Sequence, residues 1–147
     1  MFSRILVSVD LDAPFDWERT FPTAVTLARQ WSARLDVMTV VPAFGMSMVG
    51  QFFPNGYEKK MARLVMENLK SKADAALPSG MTVNHLVGEG NVYESVLAMA
   101  EQRRIDLIVI GAHRPELRDY LLGPNAARVV RHATCSVLVV REEASAG

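Results

Sequence analysis

The stretch Leu107-Ile-Val-Ile-Gly-Ala-His-Arg-Pro115 decides how the rest of the chain is read. Its first four residues are uninterrupted aliphatics, too few for a free-standing helix and continuous enough for a strand covered on both faces. The five that follow turn abruptly polar and carry a glycine and a proline. Three further runs have the same character: Ile5-Leu-Val-Ser-Val9, Leu35-Asp-Val-Met-Thr-Val-Val41 and Val137-Leu-Val-Val140. A weaker one, Thr82-Val-Asn-His-Leu-Val87, alternates apolar and polar residues and reads as a less buried strand. Between the runs lie stripes at helical spacing. Trp17, Phe21, Ala24, Ala28 and Trp31 form the first, and Met61, Leu64, Val65, Leu69, Ala73, Ala76 and Leu77 the second. Tyr93, Val96, Leu97 and Ala100 mark a third helix, and Ala126, Val129 and Val130 a shorter fourth. The order is βαβαβαβαβ. Strands separated by helices pair in parallel through right-handed crossovers, so the expected architecture is α/β: a three-layer sandwich with a five-stranded parallel sheet and four helices.

The 147 residues, 50% of them hydrophobic and 22% charged, suit one domain over residues 1–141 with a frayed tail at 142–147. Sixteen basic and sixteen acidic side chains balance, which excludes a broad nucleic-acid or membrane-surface binder but not a small anion held at one local site. Cys135 stands alone, so there is no intramolecular disulfide and no multi-cysteine metal cluster, as suits a reducing cytoplasm. The apolar run at the start is cut by Asp10, and no stretch approaches the roughly 18 apolar residues of a membrane span. One segment is odd. From Pro42 to Gly56 the chain is long for a connection and rich in Gly and Pro, yet it carries Phe44, Met46, Met48, Val49, Phe52 and Phe53. It reads as a loop packed on its own sheet, as a flap over a ligand, or as a contact for a protein partner through adaptable methionines.

In open parallel sheets ligands gather beyond the carboxyl ends of the strands, where the winding reverses. The first strand ends in Asp10-Leu11-Asp12 and the fourth in Gly111-Ala112-His113-Arg114, as expected of neighbours flanking such a crevice. Leu121-Leu-Gly-Pro-Asn125 then leads into the fourth helix. Gly123 permits close backbone approach, Pro124 fits a first helical turn, and the amides of Asn125 and Ala126 are placed to face an anion. On spacing alone, an ordinary turn and helix start accounts for the same residues. Asp10 and Asp12 suit Mg²⁺ held with phosphates, or a cap on the helix that carries Trp17. His113 has no Ser or Cys partner beside it in sequence, so it reads as a ligand contact rather than a general base, and no catalytic residue or metal cluster is assigned. His132 belongs near a helix C-terminus, His85 at the surface, and Cys135 among small buried residues.

Three segments carry a resemblance: Gly111-Ala-His-Arg-Pro115, Leu121-Leu-Gly-Pro-Asn125 and Val130-Arg-His-Ala-Thr-Cys-Ser-Val-Leu-Val-Val-Arg141. Together they resemble the C-terminal signature of the universal stress protein (UspA-like) family: a Gly, two residues, a second Gly, nine residues, then Gly-Ser or Gly-Thr. Ile5-Leu-Val-Ser-Val-Asp10, Thr39-Val-Val41 and Glu89-Gly90 extend it over nearly the whole chain, and His-Arg-Pro with Leu-Leu-Gly is most similar to the F/G branch. The resemblance implies a Rossmann-like sheet, adenine-nucleotide binding (ATP, or ADP or AMP) and homodimers acting in the stress response. It puts Asp10 at the ribose or adenine side, the backbone of Val40 at the adenine, and Gly111 at the ribose and first phosphate. Gly123 and the amides after it, including Asn125, would hold the outer phosphates, and Ser8 stands where many members have Pro. Arg114 replaces the second Gly and offers a guanidinium to phosphate. The interval to Gly123 is one residue short, and both of these departures recur in the F/G branch. Pro124 replaces the Ser or Thr, removing a hydroxyl and an N–H, which predicts a weaker grip on the outer phosphates.

The last strand, Ser136-Val-Leu-Val-Val-Arg141, carries no Pro or inward charge and is expected at a sheet edge. Pairing from Ser136 to Arg141 would bury it in a homodimer, as in the family. The sequence therefore reads as a cytoplasmic adenine-nucleotide-binding regulator. Its rivals are a nucleotide-free interaction module of the same fold and a slow ATPase using Asp10, His113 and a metal.

Overall fold

Each aliphatic run is followed by a helix that must carry the chain back before the next run, so the runs pair in parallel. The computed structural model describes residues 1–42, 57–112 and 122–142. Its strands are β1 (Arg4–Ser8), β2 (Arg34–Val41), β3 (Asn84–Glu89), β4 (Leu107–Gly111) and β5 (Ser136–Val140). The helices are α1 (Phe21–Trp31), α2 (Tyr57–Ala76), α3 (Val92–Gln102) and α4 (Pro124–His132). The sheet order is β3-β2-β1-β4-β5, so β1 is central, with Ile5 facing Leu35 on one side and Leu107 on the other. This is the expected five-stranded parallel α/β sandwich. The winding reverses between β1 and β4, and β5 lies at an edge.

The two-residue period of β1 divides the core. Ile5, Val7 and Val9 pack with Phe21, Ala24 and Ala28 of α1 and Leu69 and Ala73 of α2. Leu6 points the other way, to Val96 and Ala100 of α3 and Ala126 and Val129 of α4. Burying a side chain such as Phe21 or Leu6 completely is worth roughly 1.5–3 kcal/mol, which fixes the register of β1 on both faces. Helices α1 and α3 end the same way. Ala33 N–H reaches the Ala28 carbonyl after α1 and Ile105 N–H the Ala100 carbonyl after α3, with Ser32 and Arg104 in the left-handed region at φ 51° and 54°.

Several expectations are corrected. The ladder of β3 begins at Asn84 rather than Thr82, where Asn84 Nδ2 donates to Asp36 Oδ1 at 2.8 Å. A π-helical turn, Asp16–Thr20, precedes α1 and carries Trp17, whose indole meets Phe21 edge-on. Leu64 and Ala76 are exposed because α2 presses on the sheet through the narrower line of Leu69 and Ala73. Val130 is exposed because it lies one residue, about 100°, beyond buried Val129. His85 is half-buried rather than a free surface residue: α2 covers its strand, and the imidazole Nε2 stands 3.0 Å from Asp74 Oδ1. Cys135 is half-buried rather than buried, and His132 is the last residue of α4, its ring stacked on Tyr93. Residues 43–56 of the apolar segment, and His113 and Arg114, lie outside the described residues. No helix among the described residues is long and apolar enough to cross a membrane.

Candidate functional site

A cavity of about 260 Å³ opens at the carboxyl end of the sheet, between β1 and β4. Ser8 and Asp10 come from the end of β1, Val40 from β2, and Gly111 from β4, while Gly123 and Asn125 arrive with the start of α4. All six are residues singled out in the sequence, brought to one wall-to-wall space by the parallel order of the strands. The remaining two, His113 and Arg114, lie outside the described residues. Asp16, Thr39, Val92 and Leu122 also line it and were not foreseen. Thr39 and Val92 are legible only through their neighbours, Val40 and the Glu89-Gly90 pair before the third helix.

Asp16 organises the near wall. Its Oδ2 accepts the Asp10 N–H at 2.8 Å and its Oδ1 the Thr20 hydroxyl at 2.7 Å. Neither Asp10 nor Asp12 caps the helix that carries Trp17: Asp10 Oδ1 instead accepts the Asp12 N–H at 2.9 Å, closing a local turn. One residue further, the Leu11 carbonyl accepts both Trp17 Nε1 at 3.0 Å and Lys72 Nζ at 2.7 Å, so the π-helical turn and α2 together pin the loop. Against this wall lies Gly111. A Cβ there would come within 2.6 Å of Thr20 Oγ1 and 2.7 Å of Asp16 Oδ1, so only glycine lets β4 sit beside the Asp16 turn.

The far wall is the start of α4. Gly123 has φ 79° and ψ 155°, a conformation that residues with a Cβ essentially never adopt. Pro124 has no N–H, and no side chain caps the helix. The first intrahelical bond runs from Ala127 N–H to the Gly123 carbonyl, which leaves the amides of Asn125 and Ala126 without helical acceptors beside the cavity. The other helix beginning here, α3, is closed instead by the Asn91 side chain, which accepts the Glu94 N–H at 3.4 Å. The far end thus presents positive dipole and free donors, whereas the near end presents carboxylates and the hydroxyls of Ser8 and Thr39. Among the described residues no three His, Cys, Asp or Glu side chains gather into a metal-binding group.

A doubly wound sheet with a glycine-lined crevice at its switch point defines a Rossmann-like α/β class, and comparison with known proteins narrows it. The family model of the universal stress protein family matches residues 1–141, and the chain belongs to that family. It is similar to universal stress protein G of Salmonella typhimurium, 50% identical over 52 residues, 35% of this chain and 37% of that protein. It is also similar to universal stress protein G of Shigella flexneri, 33% identical over 85 residues, 58% of this chain and 60% of that protein. The chain therefore spans less than two thirds of the length of these relatives in the match. Among solved structures, universal stress protein UspA from Lactobacillus plantarum superimposes with a TM-score of 0.67 at 26% identity, covering 95% of this chain and 97% of that one. A universal stress protein in complex with cAMP gives 0.63 at 19% identity, covering 94% and 95%. The Archaeoglobus fulgidus universal stress protein in complex with dAMP gives 0.60 at 17%, covering 94% and 97%. These last two share the fold.

Proposed function

We propose that the protein binds an adenine nucleotide in the cavity between β1 and β4 and acts as a regulatory stress protein. The observation that carries this reading is the uncapped start of α4: Gly123, in a glycine-only conformation, sets the amides of Asn125 and Ala126 beside the cavity at the switch point. Relatives of the same fold bind cAMP and dAMP, which supports an adenine ligand. In this reading the Val40 backbone meets the base, Asp10 the ribose, Gly111 the first phosphate, and Gly123 with Asn125 the phosphates beyond it. Ser8 contributes a hydroxyl at the floor; His113 and Arg114, which the sequence assigns to the ligand, lie outside the described residues. The volume, about 260 Å³, lies just below the roughly 300–1,000 Å³ of small-molecule pockets. With no N–H or hydroxyl at position 124, AMP and ADP are held alongside ATP. Mg²⁺ would arrive with the phosphates.

The assembly in this proposal is a cytoplasmic homodimer paired through the edge strand β5, from Ser136 to Arg141, with the segment from Pro42 to Gly56 available to a protein partner. Calorimetric titration of ATP, ADP and AMP, with and without Mg²⁺, tests the ligand. Saturable binding is expected, and Gly123→Val is expected to weaken it about tenfold or more by forcing the α4 start to refold. Silence of all three nucleotides up to roughly millimolar concentration overturns the reading.

A further inference from the structure

The opposite end of the sheet holds a second hollow, of about 390 Å³, lined by Arg4, Arg34, Gln102, Arg103 and Arg104. Arg4, Arg34 and the run 102–104 are far apart in sequence. Parallel pairing brings them together, because Arg4 and Arg34 are the first residues of β1 and β2 and face each other in register. Arg103 and Arg104 end the turn that leads from α3 into β4. Four strand steps, or about 13 Å, separate Arg4 from Ser8 at the nucleotide end, so the two hollows are distinct.

Two of the guanidiniums are built in. Asp36, fully buried in β2, accepts Arg103 Nε and stands 3.5 Å from Arg34 Nε, while Arg34 also donates from its terminal nitrogen to the Arg103 carbonyl at 2.9 Å. Both arginines are held by their inner nitrogens, and their side chains remain 38% and 29% exposed for Arg34 and Arg103. The Nη groups of Arg103 are therefore left for another acceptor. The other two, Arg4 and Arg104, have no side-chain partner among the described residues. Asp106, the nearby carboxylate, spends its oxygens on the Ser3 and Arg4 amides. Four positive side chains thus face the negative charges of Asp36 and Asp106, in a chain whose net charge is zero.

Arg104 adds an independent sign. It occupies the left-handed position after α3, at φ 54°, where Ile105 N–H bonds the Ala100 carbonyl and Arg104 N–H the Glu101 carbonyl. That position favours glycine or asparagine, and an arginine there works against local stability. Neutralising the negative end of α3 would need one cation, not four, and would not require it at this residue.

We propose that this hollow is a second ligand site, for a phosphate-type polyanion such as a diphosphate, gripped by planar guanidinium forks from Arg4, Arg103 and Arg104, with Arg34 adding its charge. Diphosphate chemistry fits because it offers more than one charged oxygen set to several forks at once. The site does not depend on the nucleotide reading. The test is NMR titration of the full chain with sodium pyrophosphate at fixed ionic strength, with ADP as a parallel arm. Pyrophosphate is expected to shift the amide signals of Arg103, Arg104 and Ile105, with affinity falling as salt is raised. If ADP moves the same signals, the nucleotide's own diphosphate is a source of the ligand; if it moves only those of Gly111 and Gly123, the source is a free polyanion. Arg4→Gln with Arg104→Gln is expected to weaken pyrophosphate about tenfold or more while leaving nucleotide binding unchanged. Arg104→Gly is expected to raise the melting temperature yet weaken pyrophosphate, a split that a purely structural arginine does not produce. Unaltered pyrophosphate affinity in both variants, or pyrophosphate shifts confined to Gly111 and Gly123, overturns the proposal.

Discussion

Gly111 shows how one missing methyl can serve two sides of a strand. Its lining of the cavity was legible from the sequence, but the reason for glycine was not. The Cβ that glycine lacks would strike Thr20 and Asp16, on the α1 side of the sheet. Gly111→Ala is expected to cost about 1–3 kcal/mol through overpacking, measured by denaturant unfolding, with nucleotide affinity falling because Asp10 hangs from the displaced Asp16. Wild-type stability in that variant would mean the Asp16 turn yields freely. Cys135 makes a quieter case. Burial pushes its thiol up from the ordinary value, so it stays protonated at neutral pH, and slow reaction with disulfide reagents is expected in the folded chain compared with the unfolded one. The sign follows: the unfolded thiol ionises first, so stability attributable to Cys135 is intact below the unfolded value and declines as pH rises through the folded one. A thiol that reacts equally fast in both states contradicts this.

Among the elements, the strands were the most legible, because uninterrupted aliphatic runs such as Leu107 to Ile110 have few alternatives once helices separate them. The half-exposed β3 was displaced by two residues. Its alternation does not say where pairing starts, and a long-range bond from Asn84 to Asp36 does. The π-helical turn had no signature, since Trp17 and Phe21 keep helical spacing through it. The Arg4–Arg34–Arg103–Arg104 hollow was equally hidden: it exists only after pairing sets the strand starts side by side. Asp36 ties these elements together, joining β2 to β3 through Asn84 and to the end of α3 through Arg103, whose guanidinium the bond holds above its already high ordinary value. Asp36→Ala is expected to cost about 2–4 kcal/mol in chemical denaturation, toward the lower end of what breaking a buried pair costs because both arginines reach water. A loss under roughly 0.5 kcal/mol would show that the network is incidental.

For the whole molecule, β5 is one of the two edges of the sheet, β3 being the other. The Val140 carbonyl accepts the Ala112 N–H, so Val140 and Leu138 turn their backbone groups toward β4, and Val137 and Val139 turn theirs outward. The dimer proposed above would use those outward groups. Val139→Pro removes one without touching the β4 ladder and is expected to give monomers in sedimentation velocity with the fold retained. Persistence of the dimer would place its interface elsewhere. The sheet order carries another consequence, in time rather than space. The strand made first on the ribosome, β1, is the central one, and Ile5 meets Leu107 only after most of the chain has been synthesised. At about 5–20 residues per second, β1, with Ile5, Leu6 and Val7 at its centre, is an exposed margin for seconds before β4 arrives to cover it. The crevice between those two strands comes into being at that late moment, so a nucleotide cannot guide the early steps of folding. It can reward only a chain that is nearly complete.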